Sequence, residues 1–154
     1  RSRSDKYTSV HMSEFIPVKE EYRDKGLNER WERIIRLRKE VTKALEIARK
    51  DKLIGHSLDA TVTLVLPDEF KDFLVPYMDD LSAIFIVSSV KTGNTGCEGC
   101  YISDEIQGLT VMVEPSSDVK CERCWVHDPT VGKYPDHPGI CERCYDALKQ
   151  MGLL

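Results

Sequence analysis

The tetrapeptide Cys121-Glu122-Arg123-Cys124 returns, after sixteen intervening residues, as Cys141-Glu142-Arg143-Cys144. Two CxxC pairs at this separation bring four sulfurs to one ion, because each tight turn points two thiolates the same way and the loop between them folds back. The spacing predicts one structural Zn2+ held by Cys121, Cys124, Cys141 and Cys144, ahead of unliganded thiols or two disulfides. Four cysteines leave no position for water or substrate, so such a site holds a fold together and does no chemistry itself. His127 and His137 lie in the intervening loop and could replace a cysteine, but the symmetry of the two knuckles argues for the four sulfurs. The repeat also extends past the cysteines, to Trp125 after one pair and Tyr145 after the other.

Thiols paired as CxxC in a chain without a secretory signal favour metal over disulfides, since a reducing compartment keeps them reduced. The start Arg1-Ser2-Arg3-Ser4-Asp5 lacks an apolar signal core, and no run of about 18 apolar residues occurs, so a cytoplasmic chain without a membrane partner is expected. The first residue is not Met, which suggests a piece of something larger. With 154 residues, 41% of them hydrophobic, the chain can form one ordinary domain or two small ones, and a monomer is expected. A net charge of -4 excludes a nucleic-acid polycation; any such contact must use a local face.

Residues 1–27 read as a polar arm, in which His11 stands without a catalytic partner. From Asn28, a suitable N-cap, to about Asp51, Trp31, Ile34, Ile35, Val41, Ala44, Leu45 and Ala48 recur at helical spacing. The opposite face carries an excess of four positive charges over residues 28–52, and Arg33, Arg36, Lys39 and Lys43 are its candidates for phosphate contact. Pairs such as Glu29–Arg33, Glu32–Arg36 and Glu46–Lys50 would add only ~0.3 kcal/mol each, as on any solvated helix face.

A strand is expected at Thr61–Leu66, then a helix opened by Pro67 and divided at Pro76, then strands at Ala83–Ser88 and Leu109–Val113. The strand-helix-strand crossover implies a parallel pair, which the third strand extends. The expected fold is α+β: a long amphipathic helix, a small mixed sheet and a four-cysteine module ending in a helix over Tyr145–Met151. Its boundaries are 1–52 for the arm and helix, 53–118 for the α+β part, and 119–154 for the metal module. Lys91 to Cys100 reads as a Gly-rich loop whose Cys97/Cys100 pair supplies two ligands at most and is better read as ordinary thiols than as a second metal or redox site. In the metal module bases and acids balance, so directed groups matter more than overall charge. Arg123 and Arg143 suit phosphate or base edges, and Trp125 either stacks on an unpaired base or covers the knuckle.

Taken along the chain, Ser9-Val10-His11-Met12-Ser13, Trp31-Glu32-Arg33-Ile34-Ile35, Lys43-Ala44-Leu45-Glu46, Ser57-Leu58-Asp59-Ala60 and Cys121-Glu122-Arg123-Cys124-Trp125 resemble the carboxyl-terminal region of bacterial-type isoleucyl-tRNA synthetases. The resemblance implies the end of an anticodon-binding region, a junction domain and a zinc domain that helps engage tRNA(Ile), its partner along with the remaining domains of the parent. The parent joins isoleucine to tRNA(Ile) with ATP and Mg2+, in a catalytic domain whose HIGH and KMSKS signatures are absent here. The chain should therefore not aminoacylate alone. The CxxC pairs are also similar to the zinc finger of formamidopyrimidine-type DNA glycosylases, although no amino-terminal proline nucleophile is identifiable. A zinc ribbon serving protein assembly is the third reading.

Overall fold

A computed structural model describes residues 9–12, 15, 17–94 and 99–154. The chain divides into a unit ending at Arg33 and a larger one from Ile34 to Leu154. The first helix, α1, spans Lys25–Lys50 and starts earlier than Asn28, because Asp24 is the residue that caps it: Asp24 Oδ1 accepts from Leu27 N–H at 2.9 Å. The Asn28 amide instead donates to Glu32 Oε1 at 2.7 Å. In the first unit Tyr22, Leu27 and Trp31 are all exposed.

In the larger unit, α1 buries Ile34, Leu37, Glu40, Val41, Ala44, Leu45 and Ala48. Ile35, expected inside, is exposed; Leu37 takes that role. After α1 come β1 (Ala60–Val65), α2 (Asp68–Leu74), α3 (Leu81–Phe85), β2 (Ser89–Gly93), β3 (Tyr101–Ile102) and β4 (Thr110–Pro115). Pro67 N-caps α2, and a 3-10 segment over Val75–Asp80, containing Pro76, divides α2 from α3 as expected. The strand expected at Ala83–Ser88 is wrong. Leu81 and Phe85, four residues apart, form one buried helical face, and β2 begins only at Ser89. Beyond α3, Ile86 sits at φ 60°, a left-handed position that stops the helix.

The sheet order is β2-β1-β4-β3. β1 and β2 are parallel, Val62 opposite Val90, as the crossover requires; β4 lies antiparallel to β1 on its other side, Val62 opposite Val113. Ala60, Val62 and Leu64 alternate on one face of β1, fully buried, and join one core with Leu37, Val41 and Leu45 of α1 and Phe70, Leu74, Leu81 and Phe85 of α2 and α3.

Inside that core Glu40 is 1% exposed. Its Oε2 accepts from Tyr101 Oη at 2.8 Å and Ser103 Oγ at 2.5 Å, while Lys43 Nζ reaches Oε1 at 2.7 Å. Burial pushes this carboxyl up, yet the bonds from Lys43, Ser103 and Tyr101 together outweigh it and hold Glu40 below the ordinary glutamate range. The charge stays because both carboxylate oxygens are hydrogen-bonded, one of them to a cation.

Candidate metal centre

The four knuckle cysteines come together. Their Sγ atoms all lie within 4.8 Å of one another, and Cys124 Sγ is 3.8 Å from Cys141 Sγ. Zn–S bonds of about 2.3 Å in a tetrahedron place sulfurs about 3.8 Å apart, so the donor set fits such an ion in both chemistry and spacing. Cys121, Cys141 and Cys144 are buried, whereas Cys124 is partly exposed.

Local hydrogen bonds shape both turns. Trp125 N–H donates to Cys121 O at 2.8 Å and Tyr145 N–H to Cys141 O at 3.0 Å, equivalent bonds in the two halves of the repeat. The second turn then runs straight into α4 (Glu142–Gln150), which therefore starts inside the knuckle rather than at Tyr145. Cys141 N–H donates to Cys121 Sγ at 3.3 Å. Burial pushes the Cys121 thiol up, but backbone N–H groups of Cys124, Cys141 and Arg123 outweigh it and bring that thiol down to about 6. Burial pushes Cys141 up to about 12 and also raises Cys144. Four sulfurs this close cannot all ionise without a cation among them.

The loop joining the knuckles is built by the other members of the repeat. Glu142 pairs with Lys133 and accepts from Tyr134 Oη at 3.2 Å. Its backbone N–H is capped by Thr130 Oγ1 at 2.9 Å. Tyr134 and Tyr145 stack in parallel, centroids 3.7 Å apart. Gly139 leaves the room that the Glu122 carboxylate fills: a Cβ there would lie 2.4 Å from Glu122 Oε2.

Trp125 presents much of its ring to solvent. It is 59% exposed and sits at φ 66°, a left-handed conformation that is costly for a residue with a Cβ. Arg123 and Arg143 are both exposed, yet Arg123 Nη1 lies 3.6 Å from Cys144 Sγ, and the Cys124 side chain is the chief cause holding the Arg143 pKa above its ordinary value. On α1, Arg36 Nη2 donates to Glu105 O at 2.5 Å and Lys43 bridges Glu40 and Glu105, so both cations are engaged within the protein. Arg33 and Lys39 are exposed. Of the sequence-based site residues, Arg123 meets sulfur, Arg36 and Lys43 meet Glu105, and Arg33, Lys39 and Trp125 are exposed.

Among the described residues neither loop histidine joins the sulfur cluster. His127 Nδ1 is 2.8 Å from Asp118 O, and its Nε2 is 3.4 Å from Asp59 Oδ1, which Lys120 Nζ approaches at 3.3 Å. His127 N–H also donates to Ser88 Oγ at 2.7 Å, and that hydroxyl donates to Leu58 O, so the module is fastened to the sheet through the segment before β2. His137 lies beside the Tyr145 ring. Burial raises the Asp59 carboxyl, but the His56 backbone N–H, Lys120 and His127 hold it below the ordinary aspartate range. Nothing in the sequence marks Ser88 or Asp59 as the anchor; only the fold brings them to residues 120 and 127. Cys100 is disulfide-bonded, so the expectation of an ordinary thiol there is wrong; Cys97 lies outside the described residues, as do residues 1–8 of the arm. No helix among the described residues is long and apolar enough to cross a membrane.

Residues 120–147 match the family described as "Zinc finger found in FPG and IleRS". Over nearly the whole chain the relatives are isoleucine–tRNA ligases. That of Geobacter sulfurreducens is 42% identical over 142 residues, 92% of this chain and 15% of the relative. Those of Carboxydothermus hydrogenoformans, 43% identical over 95% of the chain, and Caldanaerobacter subterraneus subsp. tengcongensis, 38% over 96%, are each covered to 16% of their length. The chain therefore spans about a sixth of these relatives, and it belongs to the isoleucine–tRNA ligase family.

Proposed function

We propose that this chain is the tRNA-engaging, zinc-holding carboxyl-terminal portion of an isoleucine–tRNA ligase, with Cys121, Cys124, Cys141 and Cys144 as the ligands of one structural Zn2+. The observation that carries the metal is the cluster of four sulfurs, all within 4.8 Å of one another, inside the matched zinc-finger segment. When bound, the ion replaces the mutual repulsion of four thiolates with a common attraction and ties the two turns together. Tyr134, Tyr145, Thr130 and Glu142 then hold the loop that the ion closes.

The RNA contact runs through Trp125. A rigid knuckle presents an exposed indole on a backbone conformation that packing alone does not reward, and stacking on an unpaired base is the interaction such a side chain offers. Exposed cations on α1, Arg33 and Lys39 among them, supply phosphate attraction. Arg36 and Lys43 hold α1 to the Glu105 loop and contribute to the local field. Residues 1–52 are the end of the anticodon-binding region, 53–118 the junction domain and 119–154 the zinc module. Isoleucine transfer with ATP and Mg2+ belongs to other domains of the cytoplasmic parent, and this chain alone does not aminoacylate.

The test is a titration of the zinc-loaded chain with tRNA(Ile), a noncognate tRNA and duplex DNA over a salt series. Preference for tRNA(Ile) supports the reading, and equal weak binding to all three overturns it. Tighter binding to duplex DNA would favour the glycosylase-type reading, which shares the zinc-finger description but not the match over the remainder of the chain.

A further inference from the structure

The two halves of the repeat place an arginine immediately before the second cysteine of each knuckle, and the fold gives both arginines the same kind of partner. Arg123, on the first knuckle, points Nη1 at Cys144 Sγ of the second, 3.6 Å away. Arg143, on the second, shares with Cys124 of the first, and with Cys141, the lining of a cleft of about 520 Å3. The Arg123 guanidinium thus crosses to the opposite turn, and Arg143 lies in one cleft with the opposite turn's Cys124. Among the described residues neither arginine forms an ion pair with a carboxylate, although Glu122 and Glu142 are their sequence neighbours. Glu142 is committed to Lys133 and Glu122 lies against Gly139. Cys124, the sulfur that Arg143 covers, is the partly exposed member of the four.

We propose that Arg123 and Arg143 are crossed positioning residues of the metal centre, each reaching from its own knuckle to the far cysteine of the other. A Zn2+ with four thiolates carries two negative charges, and two guanidiniums directed at sulfur supply two positive ones beside them. Hydrogen bonds from a fixed fork also set the direction of the sulfur lone pairs, which a mobile ammonium does less well. The crossing couples the knuckles: neither turn can open without withdrawing an arginine from the other turn's sulfur. Arg143 additionally screens the partly exposed Cys124 from oxidants and electrophiles. The repeated tetrapeptide then divides its labour, cysteine for the ion, arginine for the opposite sulfur and glutamate for the connecting loop.

This inference rests on the zinc reading, and the experiment separates the two. Arg123→Gln, Arg143→Gln, the double variant and the two Arg→Lys variants are prepared in the whole chain, and zinc content, transfer of zinc to a chromophoric chelator, and the sulfur-to-cobalt absorption band of the Co2+-loaded chain are measured. Each Gln variant is expected to hold one zinc and lose it roughly 10-fold faster, with the double variant approaching the product of the two, since orienting partners of metal ligands carry effects of that size. The cobalt band should move to lower energy as each sulfur loses a hydrogen bond, and Lys should restore the release rate in part. If a Gln variant does not fold, the Lys variant and its band shift carry the comparison. Wild-type release and an unmoved band, in variants that hold one zinc, would overturn the crossed arrangement; so would weakened tRNA binding with both metal readouts unchanged. A wild-type chain that takes up no zinc would overturn the zinc reading and the arrangement with it.

Discussion

Replacing Trp125 by alanine and, separately, by glycine divides what its indole does from what its backbone does. At φ 66° a residue with a Cβ is disfavoured by roughly 1–2 kcal/mol. The knuckle holds it there through the 2.8 Å bond from Trp125 N–H to Cys121 O. Alanine keeps that cost. Glycine removes it but gives back roughly 0.5–1 kcal/mol in chain entropy on folding. Both variants lose the same ring, so the difference between them isolates the backbone. Trp125→Gly should be the more stable by about 0.5–1 kcal/mol, a factor of about 2–5 in the folding equilibrium of the module. Guanidinium unfolding of the zinc-loaded chain, followed by the near-ultraviolet dichroism of the stacked Tyr134–Tyr145 pair, reads this difference. Binding to tRNA(Ile), measured by anisotropy at fixed salt, should treat the two alike, each losing about 1–3 kcal/mol for a stacked base. A glycine variant less stable than alanine refutes the steric argument. Wild-type affinity in both, with zinc retained, refutes the stacking.

Metal analysis should find one zinc per chain, and Cys124→Ser should abolish it while the sheet core stays folded; loss of the whole fold on this single change would refute the modularity. Because Cys141 and Cys144 hold their protons above the ordinary thiol range, zinc uptake near pH 7 should release protons, so calorimetric heats in buffers of different ionisation enthalpy must differ. Glu40→Ala should cost about 3 kcal/mol in unfolding experiments, since it strands Tyr101 and Ser103 in the core, and a cost under about 1 kcal/mol would show that the network is dispensable. The Glu40 carboxyl lies below its unfolded value of 4.5, so its stabilisation is complete above that pH and disappears as pH falls through the folded value; the Glu40→Ala chain should show a flatter acid limb.

The metal cluster was legible because its determinants are local: two tight turns fix two sulfurs each, and the linking loop only has to close. The strand paired in parallel with β1 was foreseen as a partner but not where it lies. Ala83–Val87 is apolar in every residue except for its flanking serines, a run that fits a strand and a buried helix equally, and the contact of Leu81 and Phe85 with the core decided for helix. The two-residue β3 carries no periodicity to read. Glu40 escaped because a glutamate on a charged helix is ordinarily solvated; its partners lie 61 and 63 residues away, and no short window links them. Arg123 and Arg143 suit RNA on residue type alone. Their direction toward sulfur depends on how the second knuckle folds back over the first, a long-range fact.

The buried Glu40 carboxylate also has a mechanical meaning. Sliding α1 by one turn, about 5.4 Å, would carry the charge away from Tyr101 and Ser103 and leave it without their hydroxyls. Partial slippage is no cheaper, because two hydroxyl donors cannot both follow a moving acceptor. From Ile34 onward the helix therefore behaves as a keyed shaft: a load applied to it displaces β3 and the Glu105 loop along with it, and the sheet moves as a piece.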